Sequence, residues 1–197
     1  MVEYYRVTGN TRIIIPEIAK NSDLHRTGIV RFVGNGKLYN SNEIKKPLVQ
    51  PGDVVLFQVN EFMVATQRYV LDGKEYMQMS QDELIAKLTD PSNISVDNLE
   101  MLGDYVLIEP SLKEQDRRII LPELSSADEK SSFIKLHCVK IGSTVDLDIK
   151  IGDELIVNFA KLNPLFISTE TKDGFVNKEY AYIRKEWING VVEYENN

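Results

Sequence analysis

Five places in this chain are candidates for chemistry: the side chains of His25, His137-Cys138, Asp82-Glu83 and Asp153-Glu154, and the backbone of the glycine pair in Gly34-Asn35-Gly36. A histidine next to a cysteine suits a zinc site or a nucleophile with its base, but both need further ligands or an orienting group at set spacings. His137-Cys138 has no such partners in the sequence, and His25 stands in a polar stretch of the other half. Gly34-Asn35-Gly36 lacks the spacing of a dinucleotide fingerprint or a phosphate loop and reads as a turn with positive φ. Asp82-Glu83 follows Ser80 with a carboxylate three positions on, the pattern of a capping box before a short helical turn. Asp153-Glu154 follows Gly152 and reads as a turn. Cys138 lies in the apolar run Ile134 to Ile141 and reads as a small buried hydrophobe. The expectation is a protein with no catalytic residue, no metal and no cofactor, and so not an enzyme.

The elements around these groups are short and β-rich. Val54 to Phe57 is a continuous apolar run after Pro51-Gly52-Asp53, which suits a core strand behind a turn. Glu3 to Val7, Gly28 to Val33, Val64 to Tyr69, Glu75 to Met79 and Tyr105 to Glu109 read as further strands, with turns at Thr8 to Thr11 and Asp72-Gly73. The stretch from Ala19 to Thr27 reads as a polar loop, Trp187 as core, and Tyr180 and Tyr182 as one side of a strand. Closely spaced strands and turns of this kind build small barrels.

The same plan occurs twice. Arg12-Ile13-Ile14-Ile15-Pro16-Glu17 returns as Arg118-Ile119-Ile120-Leu121-Pro122-Glu123. Ile13 to Ile119 is an offset of 106, Gly34 to Gly142 of 108, Gly52 to Gly152 of 100 and Tyr76 to Tyr180 of 104. A nearly constant offset in conserved order marks an internal repeat. The one large step falls on Lys37 to Lys46, a hairpin-like insertion that the second copy lacks, with Asn40-Ser41-Asn42 at its tip. The expected division is residues 1–88, a linker over 89–98, and residues 99–197.

A net charge of −7, from 30 acidic and 23 basic residues, argues against nucleic acid as a partner, since phosphate binding needs clustered cations. No segment approaches the roughly 20 apolar residues of a membrane span, and the start of the chain lacks the pattern of a secretory signal. A cytoplasmic protein is expected.

Taken together, these motifs resemble the GroES-like co-chaperonin family. The first copy carries the resemblance through Ile13-Ile14-Ile15, Thr27-Gly28-Ile29-Val30, Val33-Gly34-Asn35-Gly36, Lys46-Pro47-Leu48, Pro51-Gly52-Asp53 with Val54 to Phe57, and Tyr76-Met77-Gln78-Met79-Ser80. The second copy is similar through Asp104 to Pro110, Ile119-Ile120-Leu121, Ile151-Gly152-Asp153 with Glu154 to Val157, and Tyr180 to Ile183. The resemblance implies an all-β fold of two tandem, partly open GroES-like β-barrels, which assemble into a ring and cap a chaperonin cylinder. It implies chaperonin docking by Ile13, Ile14, Ile15, Ile119, Ile120 and Leu121, and a roof hairpin over Leu38, Tyr39, Asn40, Ser41, Asn42 and Glu43. It also implies inter-subunit strands containing Tyr4, Tyr5 and Val7 at one end and Val191, Val192 and Tyr194 at the other, with the end of the first copy paired to Tyr105–Glu109.

The residues themselves leave two matters open. Ile13 to Ile15 reads equally as a docking segment or a core strand, whereas the polar stretch Ser111 to Arg118 favours docking for Ile119 to Leu121. Thr11-Arg12 and Arg117-Arg118 stand where the family has Gly-Gly. With the missing second hairpin, this departure carries an alternative reading: a structural ring or connector subunit of a phage virion.

Overall fold

In a computed structural model, the structure describes residues 2–4, 24–35, 46–59, 67–91, 95–110, 133–171 and 174–193. The described chain is all-β apart from short 3-10 turns. The first sheet contains β1 (Val2–Tyr4), β2 (Leu24–Val30), β3 (Val54–Val59), β4 (Arg68–Leu71), β5 (Lys74–Met77), β6 (Leu84–Leu88) and β7 (Leu99–Met101), in the order β4-β5-β1-β2-β3-β6-β7. The second contains β8 (Tyr105–Pro110), β9 (Phe133–Ile141), β10 (Glu154–Asn158), β11 (Asn163–Thr171), β12 (Gly174–Arg184) and β13 (Ile188–Val191), in the order β11-β12-β8-β9-β10-β13. The two orders follow the same connectivity strand for strand, and among the described residues β7 has no counterpart. Among the described residues no pairing joins the two ends of either sheet, so both sheets are open.

Local chemistry explains the turns. Gly52 has φ 99° and donates its N–H to the Val30 carbonyl at 2.8 Å, while the Asp53 carboxylate accepts from the Gln50 N–H at 2.9 Å. Gly152, with φ 94°, donates to the Cys138 carbonyl at 2.8 Å, and the Asp153 carboxylate accepts from Lys150 N–H at 2.7 Å. Only glycine takes this backbone conformation without strain. Asp72 (φ 51°) and Gly73 (φ 74°) form a two-residue turn with both central residues left-handed, the type whose twist matches a hairpin. Ser80 and Glu83 complete the expected capping box around the 3-10 turn Gln81–Glu83.

Alternation sets each core. Val30, Val55, Phe57, Met77, Leu84 and Leu102 pack together in the first sheet. In the second, Val106, Ile108, Leu136, Cys138, Leu155, Val157 and Ile183 do so, with Ile149. The chain divides into two compact units, Met1–Gly103 with Phe166–Lys178, and Asp104–Leu165 with Glu179–Asn197. The boundary expected between residues 98 and 99 meets β7, whose strand partner is β6 of the first sheet.

Several sequence expectations are corrected. Leu24 to Thr27, read as loop, belongs to β2: the pairing of Leu24 with Val59 through Ile29 with Val54 overrides its polar composition. Gly34 is not among the residues of positive φ, and a Cβ there would meet nothing within 4 Å, so its turn role is not needed. Trp187 is not core. It is 38% exposed at the end of the 3-10 turn Lys185–Trp187, with the Lys161 ammonium 4.4 Å from its ring centre. Glu154 is a buried residue of β10 rather than part of a turn. Tyr180 and Tyr182 are both buried, and Tyr182 meets Tyr105 edge to face at 5.7 Å.

Candidate functional site

Because the sheets share one connectivity, the places where they differ show what the molecule has left unsatisfied. In the first sheet, β6 is covered by β7, with Ala86 opposite Met101, Lys87 opposite Glu100 and Leu88 opposite Leu99. Thr89 N–H donates to the Asn98 carbonyl and Leu102 N–H to the Ile85 carbonyl, both at 2.9 Å, so the pairing is anchored at each end. Lys87 Nζ lies 3.0 Å from the Glu100 carboxylate, and that hydrogen bond raises the Lys87 pKa against the opposing effect of burial. Met101 and Leu99 are 2% exposed and Ala86 is 0% exposed.

In the second sheet, β13 occupies the place of β6. It pairs with β10, Leu155 opposite Val191 and Ile156 opposite Gly190, and Val192 N–H donates to the Glu154 carbonyl at 2.8 Å. A register shift falls between Ile156 and Val157, as it falls between Leu56 and Phe57 beside β6. On its other side β13 has no strand among the described residues. Ile188, Gly190 and Val191 are half-buried and Asn189 is exposed, whereas four of the five residues of β6 are buried. Gly190 stands where β6 has Ala86, and a Cβ on it would meet only Ile156 Cδ1 at 3.9 Å. The β13 edge is therefore open, flanked by the half-exposed ring of Trp187.

The other expected strand site is not an edge. β1 pairs on one side with β2 (Val2 opposite Val30, Tyr4 opposite Gly28) and on the other with β5 (Val2 opposite Met77, Glu3 opposite Tyr76). Val2 and Glu3 are thus paired on both sides, whereas Tyr4 is paired with Gly28 alone. The strand Tyr105–Glu109 is likewise internal, between β9 and β12, so the end of the first copy does not pair with it. Tyr5, Val7 and Tyr194 lie outside the described residues, as do the docking tripeptides Ile13 to Ile15 and Ile119 to Leu121 and the roof residues Leu38 to Glu43. In sequence, the tripeptides fall in matching places, between β1 and β2 and between β8 and β9.

The chemistry-bearing side chains stay apart. Cys138 is 2% exposed, and burial, helped by the nearby Asp153 charge, pushes its thiol up to about 11, which suppresses the thiolate. His137 lies in β9 opposite Glu109 on one side and Glu154 on the other, and the Lys135 ammonium is 3.8 Å from the Glu154 carboxylate. Among the described residues no group of three or more His, Cys, Asp or Glu side chains is placed to hold a metal. No helix of the described chain is long and apolar enough to cross a membrane. The sequence marks the terminal segment that holds Gly190, Val191 and Val192, but gives no sign of β7.

Comparison with known proteins finds a likeness in the first part of the chain. The family model of the chaperonin 10 kDa subunit matches residues 4–88. The co-chaperonin GroES of Hydrogenobaculum sp. (strain Y04AAS1) is 43% identical over 74 residues, which cover 38% of this chain and 71% of that protein. The co-chaperonin GroES of Aquifex aeolicus (strain VF5) is 42% identical over 82 residues, 42% of this chain, and the match spans 62% of that protein's length. The chain belongs to the chaperonin 10 family.

Proposed function

We propose that this chaperonin 10 family member is a tandem-domain co-chaperonin, which assembles into a ring and caps a chaperonin cylinder to assist protein folding without catalysis of its own. The likeness of residues 4–88 to proteins named co-chaperonins carries this reading. Its tandem part is supported by the common strand order of the two sheets, the matching glycine turns at Gly52 and Gly152, and the register shifts at Leu56/Phe57 and Ile156/Val157. In this reading residues 1–88 and 99–197 are the two copies, and β7 is the opening strand of the second copy laid on the sheet of the first. The virion-connector alternative draws no support from these relatives.

Docking falls to Ile119, Ile120 and Leu121, with Ile13, Ile14 and Ile15 as the matching set, and Leu38 to Glu43 form the roof. An aliphatic side chain buried in a groove contributes about 1.5–3 kcal/mol, and ordering the segment that bears it costs about 2–5 kcal/mol. One segment therefore binds weakly, and a ring of them binds by avidity while remaining releasable. Ring closure uses the open β13 edge, Ile188 to Val192, through a head-to-tail contact.

Pull-down of a chaperonin with and without nucleotide tests the proposal. A nucleotide-dependent complex that is lost when Ile119, Ile120 and Leu121 are changed together to serine is the expected result. Absence of any complex with the unaltered chain overturns it.

A further inference from the structure

The outermost strand at the opposite end of the first sheet is unlike the end strands β7 and β11. β4 is four residues long, Arg68-Tyr69-Val70-Leu71, and all four are exposed, Val70 at 63%. It has strand β5 on one side and, among the described residues, none on the other. Edge strands are ordinarily protected by proline, a bulge, an inward charge or extreme shortness. β11 contains Pro164 and β7 is three residues long, but β4 has three apolar residues in succession and a regular register with β5.

The hairpin geometry fixes which groups are free. Leu71 and Lys74 flank the two-residue turn at Asp72-Gly73, and such a pair exchanges both its backbone hydrogen bonds. By alternation, the N–H and C=O of Val70 and of Arg68 point away from β5 toward the open side. On that side two copies of β4 can pair antiparallel about a two-fold axis perpendicular to the sheet. Facing residues must come from the same side of the pleat, so the axis passes through one residue.

Placed on Val70, the axis sets Val70 against its own copy, Tyr69 against Leu71, and Arg68 against Asp72. Each cross-strand contact is then apolar with apolar or cation with anion, and the Tyr69–Leu71 and Arg68–Asp72 contacts occur twice. On the Tyr69 side the surface continues through Tyr76, which is opposite Tyr69 in β5, to Phe32, whose ring centre is 6.3 Å from that of Tyr76. Arg68 is already ion-paired with Glu75 along the hairpin, which holds its side chain extended beside the edge.

We propose that β4 is a self-recognition edge: two copies of this chain join through Arg68 to Asp72 into a continuous sheet with Val70 on the two-fold axis. The contact is short, so it is weak between single chains, and it is separate from the β13 edge used in ring closure.

Cysteine bridging in the full chain reads both the contact and its register. Facing residues of a hydrogen-bonded antiparallel pair have Cα atoms about 5.5 Å apart, within reach of a short thiol-bridging reagent. Val70→Cys is expected to give covalent dimer on a denaturing gel at least about tenfold faster than Tyr69→Cys, whose own copy lies two register steps away. Cys138, buried in the second sheet, is silent in both. Adding Asp72→Asn to Val70→Cys, which keeps a residue tolerant of positive φ, removes both charge pairs and is expected to slow bridging about twofold or more. Equal rates for the Val70 and Tyr69 cysteines, or no dimer from either, overturn the proposal. Both outcomes are independent of whether a chaperonin is bound.

Discussion

Gly190 and Ala86 occupy the same place in the two sheets, each opposite the third residue of the strand inside it, yet one more methyl-bearing side chain should act on them with opposite sign. Consider valine at both positions. At 190 the Cβ would meet Ile156 Cδ1 at 3.9 Å, an ordinary contact, and the residue is not among those of positive φ. Replacing a mid-strand glycine there removes conformational freedom from the unfolded chain, worth about 0.5–1 kcal/mol. The strand preference of a β-branched side chain adds a further amount within the roughly 1 kcal/mol span of that scale. Gly190→Val is thus expected to stabilise by about 1 kcal/mol. At 86 the side chain is fully buried on a strand paired along its outer side with β7, opposite Met101. Two extra carbons in a packed site cost about 1–3 kcal/mol, so Ala86→Val is expected to destabilise. The difference, about 2–4 kcal/mol, exceeds the error of urea unfolding followed by circular dichroism. Measurements at low micromolar concentration keep association from contributing. Destabilisation by Gly190→Val comparable to that of Ala86→Val would refute the reasoning, because it would mean that the β13 edge is already covered within the single chain.

Two further outcomes follow from buried and paired charges. Cys138 ionises near 9.0 when unfolded and near 11 when folded, so the unfolded chain loses its proton first and stability falls as pH rises from 9 to 11. The loss is about 2–3 kcal/mol, and Cys138→Ala, less stable at neutral pH through its cavity, should show a shallower decline in urea titrations over that range. Lys87 has a raised pKa, so its contribution is complete below the unfolded value of 10.5 and is lost as pH climbs through the higher folded value. Because Glu100 is half exposed, Glu100→Gln should cost under about 1 kcal/mol at pH 8, with the difference disappearing at strongly alkaline pH and shrinking in high salt.

The sequence is most legible where one force dominates. Val54 to Phe57 is a run of apolar residues after a glycine turn, and all four are buried in β3. Asp72-Gly73 and Ser80 to Glu83 announce a hairpin and a cap because few other conformations use those residues. Reading is harder where tertiary context decides. Leu24 to Thr27 carries His25, Arg26 and Thr27, and only the presence of β3 alongside makes it a strand. β7 is too short for any period to appear, so Leu99 and Met101 reveal themselves only by lying on β6. Trp187 has the composition of a core residue and the position of a rim residue. Its polar neighbours Lys185 and Glu186 were the available sign. Val2 and Glu3 look like edge residues in sequence, and only the hairpin β4–β5, folding back beside β1, covers their second side.

The β4 and β13 edges differ in symmetry, and that difference constrains any assembly built from them. Ile188-Asn189-Gly190-Val191 has no charge pair with which to meet itself, and its counterpart β6 is covered by a strand of different sequence, Leu99-Glu100-Met101. An edge of that kind joins unlike surfaces, and repeated unlike contacts either close into a ring or grow without limit. Arg68 to Asp72 is self-complementary, and like contacts stop at two. If both edges are used, head-to-tail rings joined by two-fold axes result, which is dihedral symmetry. If only β13 is used, the symmetry is cyclic. If the proposed ring and the proposed β4 pair both form, substituting Val70 is expected to halve the assembly without opening a ring, whereas a charge placed on Gly190 is expected to dissolve the ring and leave the β4 pair intact. Light scattering of the two variants separates these roles.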